Sequence, residues 1–388
     1  MEEKKYNNTL TEEELLEDEK TDEEINNNTL MAYDIAVFYN TYNLSTLIKW
    51  WEKGKLIVPT FQRSFVWNET KASEFVDSML RGLPVPSLFF YDDIDNSRYL
   101  VVDGLQRMLS LYSYVHTTTF GDHPFKLTGN IHPNWKGKTF IELEQDDRDR
   151  LEDSLMNITV MRQLAPDDGQ SSMYLAFQRL NTGGVTLKAQ EIRMAISYGP
   201  FALYLQEISQ DTRFDKWGIL RTKDQISHNN FSRTQEFILK FFTYFFMRDS
   251  FTGASSTRNL IDNFFADQKD FDNPKRRKPG RVYYSREDFE NAFNAVLDII
   301  LSLSVEDISP YKKPTQTFLE SIWVGLAYRK LVVGKDINVP NLPNYIKNWK
   351  KTIGGDRFKE LFQARRTSSV TSAHDRIQAG IDYFLGDF

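Results

Sequence analysis

At 388 residues the chain is long enough for two or three domains' worth of core. A net charge of -6 argues against bulk, non-specific nucleic-acid binding while leaving room for a local basic groove. The absence of cysteine removes disulfides, thiol catalysis and thiolate metal sites together, and neither a membrane-length apolar run nor a basic leader is present. The expectation is a cytoplasmic protein that makes no use of a membrane. Phenylalanine, at 29 residues, supplies most of the aromatic content, which reads as core mass in helical packing rather than a base-stacking platform.

Residues 1–30 are rich in Glu, Asp and Asn and read as a disordered acidic tail. Leu44, Leu47, Ile48 and Trp51 then recur at helical spacing, with Gly54 as a stop, and Leu56-Ile57-Val58 is a short extended run ended by Pro59. Asn68 is placed to cap a helix lined by Ala72, Phe75, Val76, Met79 and Leu80 and closed by Gly82. Val85–Tyr91 and Tyr99–Val102 read as paired strands, and a helix follows from Leu105 to Val115, with Leu105, Met108, Leu109 and Tyr112 at helical spacing. These elements make a β-α-β-β-α core. A further strand is expected at Ile158–Met161, and beyond residue 165 the pattern is helical. Helices are expected over Phe231–Met247, Arg286–Leu303, Thr317–Leu331 and Asp375–Leu385. The expected fold class is α+β, with an α/β domain over 31–165 and an all-helical domain over 166–388.

Two Gln-Arg pairs mark the candidate chemistry. Gln62-Arg63 follows the Leu56–Val58 run, and Asp103-Gly104-Leu105-Gln106-Arg107 spans a strand-to-helix turn. Such a turn gathers free backbone N–H groups at the positive end of a helix, which suits an anion, and an Arg in the first turn adds two parallel donors for a phosphate.

Five strings carry a resemblance. They are Val58-Pro59-Thr60-Phe61-Gln62-Arg63-Ser64-Phe65-Val66-Trp67, the Asp77–Pro86 stretch, Val101–Arg107, Phe177-Gln178-Arg179-Leu180-Asn181-Thr182-Gly183-Gly184-Val185-Thr186-Leu187, and Glu191-Ile192-Arg193. In order and spacing, residues 40–200 resemble the N-terminal domain of GmrSD-type restriction proteins, a domain with a ParB/sulfiredoxin-like core and a DGQQR signature. The resemblance implies a phage-defence protein that binds and hydrolyses a nucleoside triphosphate and acts on or senses modified, for example glucosylated, phage DNA. By position, Asp103, Gly104, Gln106 and Arg107 form the site, with Gln62 and Arg63 opposite. Leu105 stands where the signature has its first Gln. Such proteins often carry a C-terminal His-Me finger nuclease domain; His228 and His374 lie in no such pattern, so the chain is expected either to work beside a separate nuclease subunit or to act without one.

Each feature also has a plainer reading. Asp103 is either the N-cap of the following helix, or a carboxylate that holds Mg²⁺ or accepts a proton; Arg107 is either a phosphate clamp or a structural ion pair with Asp103. Arg63, in an apolar run, must reach solvent, pair with an acid or hold a ligand. Arg179 and Asn181 either precede an ordinary helix end at Gly183-Gly184 or face the same pocket, supported by Glu191 and Arg193. Lys275, Arg276, Arg277, Lys278 and Arg281 are a solvated loop or a DNA contact. A DNA-binding module without catalysis, and a glycosylase with Asp103 and Gln106 facing a flipped base, are the competing functions.

Overall fold

Asn43 ends one strand and starts one helix. Its side chain accepts the Thr46 N–H at 3.2 Å, which turns β1 (Asp34–Asn43) into α1 (Leu44–Glu52). The computed structural model describes residues 34–57, 67–94, 97–120, 123–165, 190, 193–194, 197, 199–220, 231–253, 256–273, 280–309, 314–352, 361–362 and 370–386. They fall into two compact units, Ala32–Ile196 and Ser197–Phe388.

In the first unit, β2 (Leu56–Ile57) and α2 (Glu69–Leu80) precede β3 (Leu88–Asp93), β4 (Arg98–Asp103) and α3 (Leu105–Val115). A small hairpin, β5 (Thr119–Phe120) with β6 (His123–Pro124), and α4 (Gln145–Glu152) lead to β7 (Leu155–Ala165). The five-stranded mixed sheet has the order β1-β7-β3-β4-β2. β4 runs antiparallel to β3 and parallel to β2. That polarity brings the ends of β2 and β4 and the start of β3 to one end of the sheet, where Phe89 lies opposite Asp103.

The expected β-α-β-β-α core is present, with β1 and β7 added beside it. The strand expected from Val85 begins at Leu88, because prolines at 84 and 86 remove the amide donors a ladder needs. Asn68 caps α2 as its spacing predicts, accepting the Lys71 N–H at 2.9 Å. Ala72, Val76, Met79 and Leu80 are buried, each contributing about 1–3 kcal/mol of apolar transfer. On α3 the buried set is Leu105, Met108, Leu111 and Tyr114, while Tyr112 stacks on Trp51 at 4.9 Å. The helix is covered on more than one side, so its stripe is broader than the expected Leu105, Met108, Leu109 and Tyr112.

The second unit is helical throughout its described residues: α5 (Pro200–Ile208), α6 (Ser232–Phe246), α7 (Thr257–Gln268), α8 (Arg286–Ser302), α9 (Gln316–Leu331), α10 (Leu342–Thr352) and α11 (Val370–Phe384), with short 3-10 turns. Phenylalanine forms its core, as the composition implies. Phe201 meets Phe242, Phe264, Phe265, Phe271 and Phe289 with ring centroids 4.6–6.3 Å apart. Trp323 stacks on Phe241 at 4.5 Å. α9 and α11 cross so closely that a Cβ on Gly380 would sit 2.4 Å from the Ser321 carbonyl oxygen. The fold is therefore α+β, a sheet domain followed by helices.

Candidate functional site

The strand-to-helix turn at Asp103-Gly104 rests on a glycine that no other residue can replace without strain. Gly104 has φ +98° and is the N-cap of α3, without any side-chain cap. A Cβ there would lie 2.2 Å from Leu88 Cδ2 and 3.2 Å from Arg107 Nη2. The helix thus starts hard against the first residue of β3. Asp103 is not the cap that one reading of the sequence expects; it is the last residue of β4, and its carboxylate turns to Arg107.

Arg107 is buried inside this turn. Its Nη2 donates to Asp103 Oδ2 at 2.6 Å, and Nη1 donates to the Ser87 carbonyl at 3.1 Å and to the Pro86 carbonyl. Burial pulls the guanidinium below its ordinary pKa, and the adjacent Asp103 opposes that shift. The structural ion pair weighed for this position is present, and it is not closed at both ends. The Arg107 side chain is 11% exposed and that of Asp103 31%, so the carboxylate keeps an open side toward solvent. Arg107 braces Asp103 and the Pro86–Ser87 loop together.

Gln106 makes the other link. Its Oε1 accepts the backbone N–H of Trp67 at 3.2 Å. Trp67 is held from a second direction, its ring edge-on to Phe75 at 5.8 Å and under Lys71 Nζ at 4.9 Å. At the other end of the same stretch, Ile57 pairs with Leu100 of β4. The flanks of residues 58–66 are therefore both fixed beside the Asp103–Arg107 turn. Gln62 and Arg63 themselves lie outside the described residues, as do Arg179, Asn181, Glu191 and Lys275–Lys278. Arg193 is described; it is buried and donates to Gln190 Oε1 at 3.4 Å.

Three groups had no role in the sequence reading: the Pro86 and Ser87 carbonyls and the Trp67 N–H. The prolines at 84 and 86 carried the signal for the first two, since a chain that cannot form a ladder leaves carbonyls for a buried cation. At the basic loop, Arg281 lies 3.4 Å from Asp267, and Tyr284 packs on Phe246 at 4.1 Å with its hydroxyl donating to the Phe246 carbonyl. Tyr284 is thus a core-side ring rather than a base platform. His132 meets Asp77 through its backbone N–H, His123 approaches Glu69 at 3.7 Å, and His374 approaches Asp375 at 3.4 Å.

Among the described residues no group of three or more His, Asp or Glu side chains is placed to hold a metal ion. Asp103 stands as a single carboxylate with a guanidinium already on one oxygen. Magnesium asks for a near-octahedral oxygen shell, commonly completed by substrate phosphates and water, of which Asp103 would supply one protein ligand.

Fold and site together define an α+β domain that gathers an acid, a helix start and two loop ends at one edge of a mixed sheet. Residues 44–198 match the family model described as GmrSD restriction endonuclease, N-terminal domain. The match covers the sheet unit from α1 onward and all five motif strings, from Val58 to Arg193. No curated protein and no solved structure matches the chain. The functional content of the match is restriction, and with it defence against foreign DNA. Among the described residues, no helix is long and apolar enough to cross a membrane.

Proposed function

We propose that this chain serves a restriction system as a phage-defence protein whose sheet unit binds, and turns over, a nucleoside triphosphate. The observation that carries the reading is the convergence at one sheet end of three separate motif strings: Trp67 on Gln106, Pro86–Ser87 on Arg107, and Asp103 at the head of α3. Phosphoryl transfer needs positioning and charge neutralisation more than covalent chemistry. In this reading the positive end of α3 faces a phosphate, Arg63 and Gln62 come from the stretch whose flanks are fixed beside it, and Asp103 accepts a proton from the attacking water. Arg107 touches no ligand in this reading and acts by holding Asp103. Any Mg²⁺ arrives with the triphosphate, ligated by its oxygens. The event is coupled to modified phage DNA, with cleavage supplied by a separate nuclease subunit.

Phosphate release from each nucleoside triphosphate, with and without plain and glucosylated phage DNA, tests the proposal. Turnover that rises with modified DNA supports it. Failure of any triphosphate to bind removes it. One observation favours a second reading, a modified-DNA binding module without catalysis: Arg107 Nη1 and Nη2 already donate to two carbonyls and to Asp103. Binding of glucosylated DNA by a protein that hydrolyses nothing selects that reading instead.

A further inference from the structure

We infer that Gln106 is a positioning residue, a fastener that ties the start of α2 to the start of α3, rather than a ligand contact. The inference rests on the nucleotide-binding reading for its consequence, and on geometry alone for its premise. Gln106 is the second residue of α3, directly before Arg107, and its side-chain oxygen accepts the Trp67 N–H at 3.2 Å, a contact between residues 39 apart in sequence. Trp67 is the last residue of the first motif string, and the residue after it, Asn68, caps α2. A bond at Trp67 therefore joins the start of α2 to the start of α3.

Trp67 N–H is otherwise a backbone donor just ahead of a helix, where no ladder partner exists. Gln suits the task because it is neutral and offers an acceptor on a long stem. It brings no charge beside the Asp103–Arg107 pair. A Gln106 change then acts through the junction of α2 and α3, and its effect on a triphosphate is an indirect one.

The two roles respond oppositely to Gln106→Glu. A glutamate keeps the acceptor for Trp67, but its charge repels a phosphate in direct contact. Gln106→Leu removes the acceptor and adds no charge. Backbone amide exchange at Trp67, read by NMR in the ligand-free protein, is the first arm. Gln106→Leu is expected to accelerate it roughly tenfold or more, and Gln106→Glu to leave it within about threefold of the parent. The second arm is the dissociation constant for ATP and for GTP, each with MgCl₂; Gln106→Leu is expected to weaken binding about tenfold, and Gln106→Glu to weaken it less, since its charge stands off the phosphate rather than against it. Thermal melts establish that both variants are folded.

Unchanged Trp67 exchange in Gln106→Leu overturns the fastener. Loss of triphosphate binding in Gln106→Glu with Trp67 still protected overturns it too, and makes Gln106 a phosphate contact. If the parent protein binds neither triphosphate, the nucleotide reading falls while the exchange arm still decides the fastener.

Discussion

Two buried arginines, one in each unit, do different work with the same chemistry. Arg329 in α9 donates to the carbonyls of Asp336 at 2.7 Å, Phe384 at 3.0 Å and Gly386 at 2.6 Å, so it closes the C-terminal end of α11. Arg107 also donates to two carbonyls, yet its remaining bond goes to a carboxylate with an open side. In the helical unit the cation completes a fold. In the sheet unit it completes a fold and leaves an acid facing outward, beside a glycine that has no side chain to cover it. An enclosed guanidinium closes packing; one that braces a partly buried acid leaves a side of that acid open to solvent.

The sharpest way to break this contrast is to fill the glycine. Gly104→Ala combines a positive φ with a Cβ 2.2 Å from Leu88 Cδ2. It should cost about 3 kcal/mol, read as a lowered urea midpoint, with the turn displaced. A variant as stable as the parent would show that the turn has slack and that the site is not held rigidly.

Next in size is the paired experiment on the two arginines. Arg107→Met strands Asp103 and the Pro86 and Ser87 carbonyls, and Arg329→Met strands three carbonyls; each should cost about 3 kcal/mol. The two should part company in phosphate release. Turnover per folded molecule should fall at least about tenfold in Arg107→Met and stay at the parental level in Arg329→Met. Equal turnover in both would erase the distinction between closing a fold and aiming an acid.

How much of this was legible in sequence follows from where the determinants lie. The caps were legible because they are local: Asn68 before an apolar stripe could be placed from spacing alone. The strand-to-helix turn at Asp103-Gly104 was legible for the same reason. The roles of Arg107 and Asp103 were open, because choosing between clamp and ion pair requires knowing that Pro86 and Ser87, some twenty residues away, lie against the guanidinium. β1 was missed outright. Its ten residues alternate poorly, with Ile35, Val37, Phe38 and Tyr39 all exposed, and only pairing with β7 defines it. In the helical unit, α5, α7 and α10 escaped notice: α5 is only nine residues long, and the apolar residues of α7 and α10 are interrupted by Asn, Asp and Lys, with burial that depends on neighbours far along the chain.

A buried acid in the helical unit extends the comparison to pH. Glu320 in α9 is enclosed, 1% exposed, with Gln316 Nε2 donating to it at 3.2 Å. Burial pushes its carboxyl above the ordinary value of 4.5, with Lys240 and Arg376 pulling the other way. The folded protein then holds this proton more tightly than the unfolded chain. Its stability falls as pH rises from about 4.5 through the folded value, and levels off above that. Glu320→Gln carries no such proton. The difference in Tm between variant and parent should therefore shift in favour of the variant over that window and then hold constant. A difference independent of pH would mean that Lys240 and Arg376 fully offset the burial.

The smallest effects come from the caps, and they sharpen the contrast most finely. Asn68 caps α2 by accepting the Lys71 N–H, while Ser285 caps α8 reciprocally with Asp288, its oxygen accepting the Asp288 N–H at 3.1 Å. Replacing either by Ala should cost about 1 kcal/mol in urea unfolding. Asn68, however, adjoins Trp67, so a frayed first turn of α2 loosens the same post that Gln106 holds. Asn68→Ala should therefore weaken triphosphate binding by a few-fold (about 0.5 kcal/mol) where Ser285→Ala leaves it alone. If both caps were silent in binding, Trp67 would owe its position to Gln106 and not to the helix behind it.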